Sequence, residues 1–444
     1  MEIEFVAHAS CIIRAGDIAL LADPWIEGTA FDNGWSLLAS TPKGYEIFHD
    51  ATHIWFSHEH PDHFSPPVLK RIPAEVRANL HILVIETVDK KIVGFCRSLG
   101  FAKVTELRPS CWYELSSAMS IMVGPVGDDS WCAAKSGTQV ILNVNDCILR
   151  TPEALSEIKE LVGQPDVLLT QFSYAQWSGN RSDTVTRAGE AARKLREVRL
   201  QAEVFQPKWL IPFASFIWFS HEENVYMNDE VNRIDKVDAF VSEQTQARPV
   251  ILYPGDVWTV GHEWNSQSAI ARYTSDISGL EVRKPHCDAV VPFDRLVAEF
   301  DTRMARIQKR TGRVIVIGYA VTGILPEFRA WLTDLGHATS ISISGCSKSK
   351  HSEFECDVAL SSAALSYFFR FDWGGNTLEV NGRYAKPPKG FYSRFHAWIM
   401  FGNDMNHLRV PSGRDILKLL FAPFYRGPAK WIWRRGKALR ASLR

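Results

Sequence analysis

The stretch FSHEHPDHFSPP, residues 56–67, places three histidines and an aspartate within six positions, between an apolar run and two prolines. The preceding ATHIWFS is rich in β-formers and reads as a buried strand, so His58 and His60, two apart at its exit, project to one side. Pro61 then turns the chain, and Ser65 before Pro66 opens a helix, which brings Asp62 and His63 back toward the same point. Neutral imidazoles and carboxylates that converge in this way suit zinc, iron or manganese. A solvated polar turn is the competing reading, but H-x-H-x-D-H arises by chance in roughly one in a thousand chains of this histidine content. The metal reading is favoured: one or two divalent ions on His58, His60, Asp62 and His63, with zinc expected ahead of iron or manganese.

The remainder of the chain supports an α/β frame around that loop. Up to about residue 275, short β-forming runs (CIIRAG, IALLADPW, LHILVIE, SIMVGPV, TQVILNVND, DVLLTQF, KWLIPF, PVILYPGD) alternate with helices that start at Ser65, Thr151 and Thr184. From 276 to 385 the order changes to a helix from Phe293 to Lys309, an apolar strand VIVIGYAV, a helix around Pro326 to Leu335, and the run ECDVALSSAALSYFFRFDWGGNTLEVNGRY. This predicts a separate, smaller α+β domain, followed over 386–444 by an extension with a basic aromatic tail. A chain of 444 residues is long enough for such a division.

Charge and cysteine usage narrow the function classes. Fifty basic residues balance fifty acidic ones, so no overall field recruits nucleic acid, and binding must come from a local site. The eight cysteines are scattered without CxxC pairs, mostly in apolar stretches, which fits a reducing cytoplasm. The N-terminus MEIEFVAHAS lacks a signal-peptide pattern, and the longest apolar runs, such as Val314 to Leu325, are shorter than the roughly 20 residues that span a bilayer.

The HxHxDH loop after a strand, together with the opening pair HASCIIRAGDIALLADPW, resembles the metallo-β-lactamase superfamily. That resemblance implies a four-layer αββα sandwich and a site for a pair of metal ions. It assigns Asp146, in ILNVNDC, to the carboxylate that bridges the ions, and Asp23, in ADPW, to a supporting role behind the histidine loop. For Asp23 a turn cap before Pro24 is an equally open reading. Two family histidines are missing: after SIMVGPV the polar residues at hand are Asp128 and Asp129, and after KWLIP the run PFASF stands, with His221 further on. Asp128 and His221 are therefore candidate ligands, His221 alongside the alternative of a surface histidine at a helix start. His8 is a candidate for the lining of the cavity, against the commoner fate of a histidine satisfied inside a strand. Trp25, Trp35, Trp131 and Trp177 fall at strand ends, where packing is favoured over ligand stacking.

A narrower resemblance, through DPWIEGTAFDNGWSL, ILNVNDC and PFASF, is to the branch that contains the CMP-N-acetylneuraminate hydroxylases. Those enzymes carry a Rieske domain with CxH and CxxH ligand pairs, which this sequence lacks, so oxygenase chemistry implies a separate electron donor. The segment from ECDVAL to NGRY is similar to sterol-carrier-like domains, which implies a strand, a helix and a Gly-turn strand around an apolar pocket.

The leading expectation is a metal-dependent hydrolase. It acts on an ester, phosphoester or amide of a small molecule, nucleotide-sugar or lipid-like, with a metal-activated water oriented by Asp62. The alternatives are an iron-dependent oxygenase and a scaffold of the same fold without turnover. Location is expected to be cytoplasmic. Trp431 and Trp433 among the tail cations allow peripheral contact with anionic membrane, with disorder of the tail as the competing reading.

Overall fold

Two seven-stranded mixed sheets form the frame of the first unit. In the first, Val257–Thr259, Glu2–Ala7, Ser10–Ala15 and Ile18–Ala22 run antiparallel to one another, and Ile18–Ala22, His53–Phe56, His81–Ile85 and Lys103–Leu107 run parallel. The second repeats the plan: Arg248–Pro249, Trp209–Phe213, Val167–Gln171 and Gln139–Asn145 are parallel, and Asp129–Ser136, Met119–Val126 and Tyr113–Ser116 continue antiparallel. Inner parallel strands such as HILVI and VLLTQ are buried almost throughout, whereas the edge strand KVTEL is partly exposed. One continuous core joins Ile3, Phe5 and Leu20 of the first sheet to Ile121, Ile141 and Leu169 of the second. Helices such as Lys91–Ser98, Pro152–Val162 and Thr184–Phe205 lie between the strands in sequence. The expected αββα sandwich is what forms.

The computed structural model describes residues 1–410. They divide into a first unit of residues 1–175, 184–220 and 227–285, and a second unit of 176–183, 221–226 and the chain from 286 onward. The basic aromatic tail lies outside the described residues.

In the second unit a sheet in the order Gly345–Ser349, His337–Ser342, Phe328–Leu332, Val358–Leu360 packs with helices Phe293–Thr311, Ser362–Arg370 and Tyr392–Asn406 around Phe300, Phe328, Phe368 and Trp398. Three sequence expectations are corrected here. VIVIGYAV is a helix, Arg313–Val321: it buries Val316 and Tyr319 on one face and leaves Val314, Ile317 and Val321 outside. A short apolar run carries no period that separates a strand from a helix. Residues 326–335 hold the strand Phe328–Leu332, whose alternate residues Phe328, Ala330 and Leu332 are buried. The GGNTLEVN segment is the helix Gly374–Asn381 and not a Gly-turn strand. Its glycines serve close packing: a Cβ on Gly375 would meet Ile399 at 2.8 Å, and one on Gly374 would meet the Tyr367 carbonyl at 2.7 Å.

Candidate metal centre

Most residues of the centre follow directly on a strand, and Asp129 starts one, Asp129–Ser136. Asp23 follows Ile18–Ala22, the histidine loop follows His53–Phe56, and Asp146 follows Gln139–Asn145. Crevices at the carboxyl ends of parallel strands are where open α/β sheets bind ligands. The loop is tightened by the amides of His63 and Phe64, which both donate to the His60 carbonyl, at 3.0 and 2.7 Å.

His58 Nε2 lies 2.8 Å from His60 Nδ1, 3.6 Å from Asp129 Oδ1 and 3.9 Å from Asp146 Oδ2. His63 Nε2 lies 3.2 Å from Asp62 Oδ2 and 3.5 Å from Asp146 Oδ2. Ligand atoms on one ion with bonds near 2.0–2.2 Å sit roughly 3–4 Å apart, so the spacing suits two adjacent ions. Three triads have their ligand atoms within 4.8 Å of one another: His58, His60 and Asp129; His58, His63 and Asp146; and His8, Asp62 and His63.

The electrostatics ask for a cation. Burial pushes the His58 and His60 imidazoles down, and each is lowered further by its neighbouring histidine, so both present neutral lone pairs. Burial alone would lower His63 as well, but Asp62, Asp146 and Asp23 outweigh it and hold the ring well above its ordinary value. Asp62 and Asp146 are held low against burial, chiefly by His63. Asp129 is pushed up to about 7 by burial and by the charge on Asp146. Without a cation, then, the pocket does not keep all its carboxylates ionised. Asp62 Oδ1, His63 Nε2 and Asp146 Oδ1 are buried without a hydrogen-bond partner, an arrangement that costs free energy unless a ligand completes it. The donor set fits a metal pair.

Behind the loop, Asp23 is fully buried and accepts from the Ser57 amide at 2.8 Å, the Ser57 hydroxyl at 2.7 Å and the Asn145 amide at 2.6 Å, with His63 Nδ1 at 3.0 Å. A proton on His63 Nδ1 then leaves Nε2 directed at the metal position. His8 Nε2 lies 3.2 Å from Asp62 Oδ2, and the rings of Trp25 and Trp35 meet His8 edge-on at 5.8 and 6.3 Å.

Two candidate ligands are corrected. Asp128 is exposed at the tip of the hairpin turn after Val126, whereas Asp129 starts the return strand, paired with Val126, and points inward. The glycine at 127, with φ +67°, sets the two-residue turn that decides which of the adjacent aspartates faces in. His221 belongs to the second unit, where its Nε2 lies 3.5 Å from Asp288 Oδ2. After Trp209–Phe213 comes Ala214, and its amide donates to the His8 carbonyl at 3.0 Å. His8 thus sits against the position where the family resemblance puts its last histidine.

Sequence reasoning missed Ser57 and Asn145 and named Asp129 only as a neighbour. Asn145 closes its strand in the left-handed conformation, φ +54°, after a bulge between Asn143 and Asn145. An asparagine directly before Asp146 was the available signal, since asparagine tolerates that conformation. Trp25, Trp35 and Trp131 are buried packing residues.

No family model matches the chain. Over 248 residues, 53% of the chain, it is 26% identical to the cytidine monophosphate-N-acetylneuraminic acid hydroxylase of Mus musculus, of which the match covers 42%. The chain thus spans less than half the length of that relative. Among solved structures it resembles CmlA, a diiron beta-hydroxylase from Streptomyces venezuelae, at 18% identity and TM-score 0.38 over 56% of this chain and 53% of that one. It also resembles the metallo-beta-lactamase fold protein YhfI from Bacillus subtilis, at 13% identity and TM-score 0.39 over 58% of this chain and 99% of that one. The first unit is built on two mixed seven-stranded sheets, and in sequence the chain is similar to cytidine monophosphate-N-acetylneuraminic acid hydroxylase.

Proposed function

We propose that the first unit is a metal-dependent enzyme that holds two cations, one on His58, His60 and Asp129 and the other on Asp62 and His63, with Asp146 between them. The observation that carries this is the cluster of buried imidazoles and carboxylates, in which Asp62 Oδ1, His63 Nε2 and Asp146 Oδ1 have no hydrogen-bond partner.

The reaction these donors support best is hydroxylation of a small molecule, nucleotide-sugar-like, with iron as the metal. A set in which carboxylates match imidazoles in number suits iron better than the histidine-rich sets of catalytic zinc. The sequence similarity to a hydroxylase points the same way. Bound iron would supply reductive activation of dioxygen, in which one oxygen atom would enter a C–H bond and the other would leave as water, with two electrons from a separate donor and two protons from solvent. The chain's own part is positional. His8 holds Asp62 by one oxygen, Asp23 fixes the tautomer of His63, and the buried Phe31 ring packs edge-on to that of His60 at 5.6 Å.

The hydrolase expectation remains the second reading. Asp62 Oδ1 supports it, since it is free to orient a metal-activated water. Mass-spectrometric metal analysis of protein isolated without added metal separates the two. Iron near two equivalents per chain supports hydroxylation, and zinc at that level supports hydrolysis. Under about one equivalent of any metal, with His60→Ala no different from the parent, overturns both and leaves the scaffold.

A further inference from the structure

The second unit holds a cavity that the metal chemistry does not use. It measures about 440 Å³, is apolar over most of its wall, and is lined among others by Arg181, Glu353, Phe354, Ala385, Lys386 and Pro387. Small-molecule sites commonly enclose about 300–1,000 Å³ with a few placed polar groups.

Lys386 is one of its polar lining residues, with Asn180, Arg181, Ser182 and Glu353. The ammonium lies between two ring faces, 3.8 Å from the centroid of Trp177 and 3.9 Å from that of Tyr392. Tyr384 stacks on both of those rings, at 5.4 Å and 5.5 Å, so three aromatics form one cradle. The cradle is fixed by hydrogen bonds. Trp177 Nε1 donates to the Tyr384 carbonyl at 3.1 Å, Asn180 Nδ2 donates to the Lys386 carbonyl at 3.0 Å, and the Lys386 amide donates to Asn180 Oδ1 at 2.8 Å.

Among the described residues the carboxylate that acts on Lys386 is Glu379, at a distance beyond ion pairing, and its Oε1 is engaged by the Tyr392 hydroxyl at 3.0 Å. Burial accordingly lowers the proton affinity of Lys386 and raises that of Glu379. A preorganised cation that lacks a counter-ion in an apolar wall is complementary to an anion carried on a hydrocarbon body. Arg181 adds positive charge, and Glu353 opposes a second negative charge on the ligand. Phe354, 60% exposed at the rim, offers apolar surface.

We infer that this cavity is a binding site for a small organic monocarboxylate, with the carboxylate on Lys386 and the apolar body against Phe354, Ala385 and Pro387. The test is calorimetric titration of the full chain with decanoate, below its micellar concentration, and with decanol as the uncharged match. The expected result is saturable one-to-one binding of decanoate, at least about tenfold tighter than decanol, and weakened at least about tenfold by Lys386→Met. Ser182→Trp, at an exposed rim position, is expected to weaken it similarly by filling the mouth. Melting curves check that both variants fold, and should Lys386→Met fail to fold, Ser182→Trp decides. The inference is overturned if decanoate does not bind saturably, or if binding is unchanged by the substitutions, as it would be for a carboxylate captured at the metal centre.

Discussion

The two units each bury a cluster of histidine and carboxylates, and they neutralise it differently. In the second unit the cation is a side chain: Arg383, 1% exposed, donates through Nε to Glu223 at 2.7 Å and through Nη2 to Asp288 at 2.6 Å, with His221 at 3.5 Å from Asp288. In the first unit Asp62, Asp129 and Asp146 face three imidazoles and no guanidinium or ammonium within ion-pair distance among the described residues. A guanidinium closes the first kind of cluster by folding alone, whereas the second kind stays electrostatically unfinished until a cation arrives. Residue type does not separate them. The guanidinium inside the second-unit cluster does.

The largest expected effect breaks the comparison at both ends. Asp146→Asn is expected to weaken metal binding by at least about a hundredfold, since even supporting residues around a metal are worth about 10–100-fold. In metal-free protein the same change relieves repulsion with Asp129 but gives up the pairing with His63, so the loss of stability to denaturant should stay below that of Arg383→Met. Arg383→Met should do the reverse: it strands two carboxylates, costs about 3–5 kcal/mol, and leaves the metal content of the folded fraction alone. Urea unfolding with and without added metal, paired with metal analysis, reads both. If Asp146→Asn destabilises the metal-free protein as much as Arg383→Met does, the two clusters are alike and the distinction falls.

How much of this was legible in the sequence follows from what each residue needs. HxHxDH is local: its four side chains fall within six consecutive residues, so strand exit and helix start suffice to aim them, and Asp23 and Asp146 were placed through family resemblance. Asp129 was not separable from Asp128, because the choice depends on hairpin register, which is set by a turn and by Gly124 lying under Trp131. His221 was nominated because it stood next in sequence. That it belongs to the other unit is a matter of chain crossing that no local pattern records. The same limit explains the second unit, where VIVIGYAV and GGNTLEVN are short apolar or glycine-bearing runs whose state is decided by what they pack on.

A smaller change sharpens the idea that the open cluster is held in register by its supports. Asn145→Gly keeps the left-handed backbone that Asn145 adopts and removes the amide that reaches Asp23 at 2.6 Å and the Ser57 hydroxyl at 3.1 Å. The expected outcome is a roughly 10–100-fold loss of affinity for the second cobalt ion in a cobalt titration, with a visible change in the cobalt ligand-field bands and the parent's fold retained. Cobalt spectra identical to the parent's would show that Asn145 only fills space. Asn145→Ala should be worse for folding, because alanine resists that backbone conformation.

The smallest effect concerns pH and belongs to the closed cluster. The His221 and Arg383 donors hold Asp288 below its ordinary carboxylate value of 3.8, the His221 contact being the larger cause and burial opposing it. A group depressed in the folded state contributes stability that is complete above its unfolded value and is lost as pH falls through the folded one. Asp288→Asn should therefore be less stable than the parent by a constant margin from pH 7 to about 5, and the two should converge as acidity increases below about pH 4. Metal content should not change, since Asp288 pairs with His221 and Arg383 and with none of the proposed ligands. A margin that stays constant down to pH 3 would mean that the Asp288 contacts act through shape and not through charge, and the guanidinium would no longer count as the cation that closes this cluster.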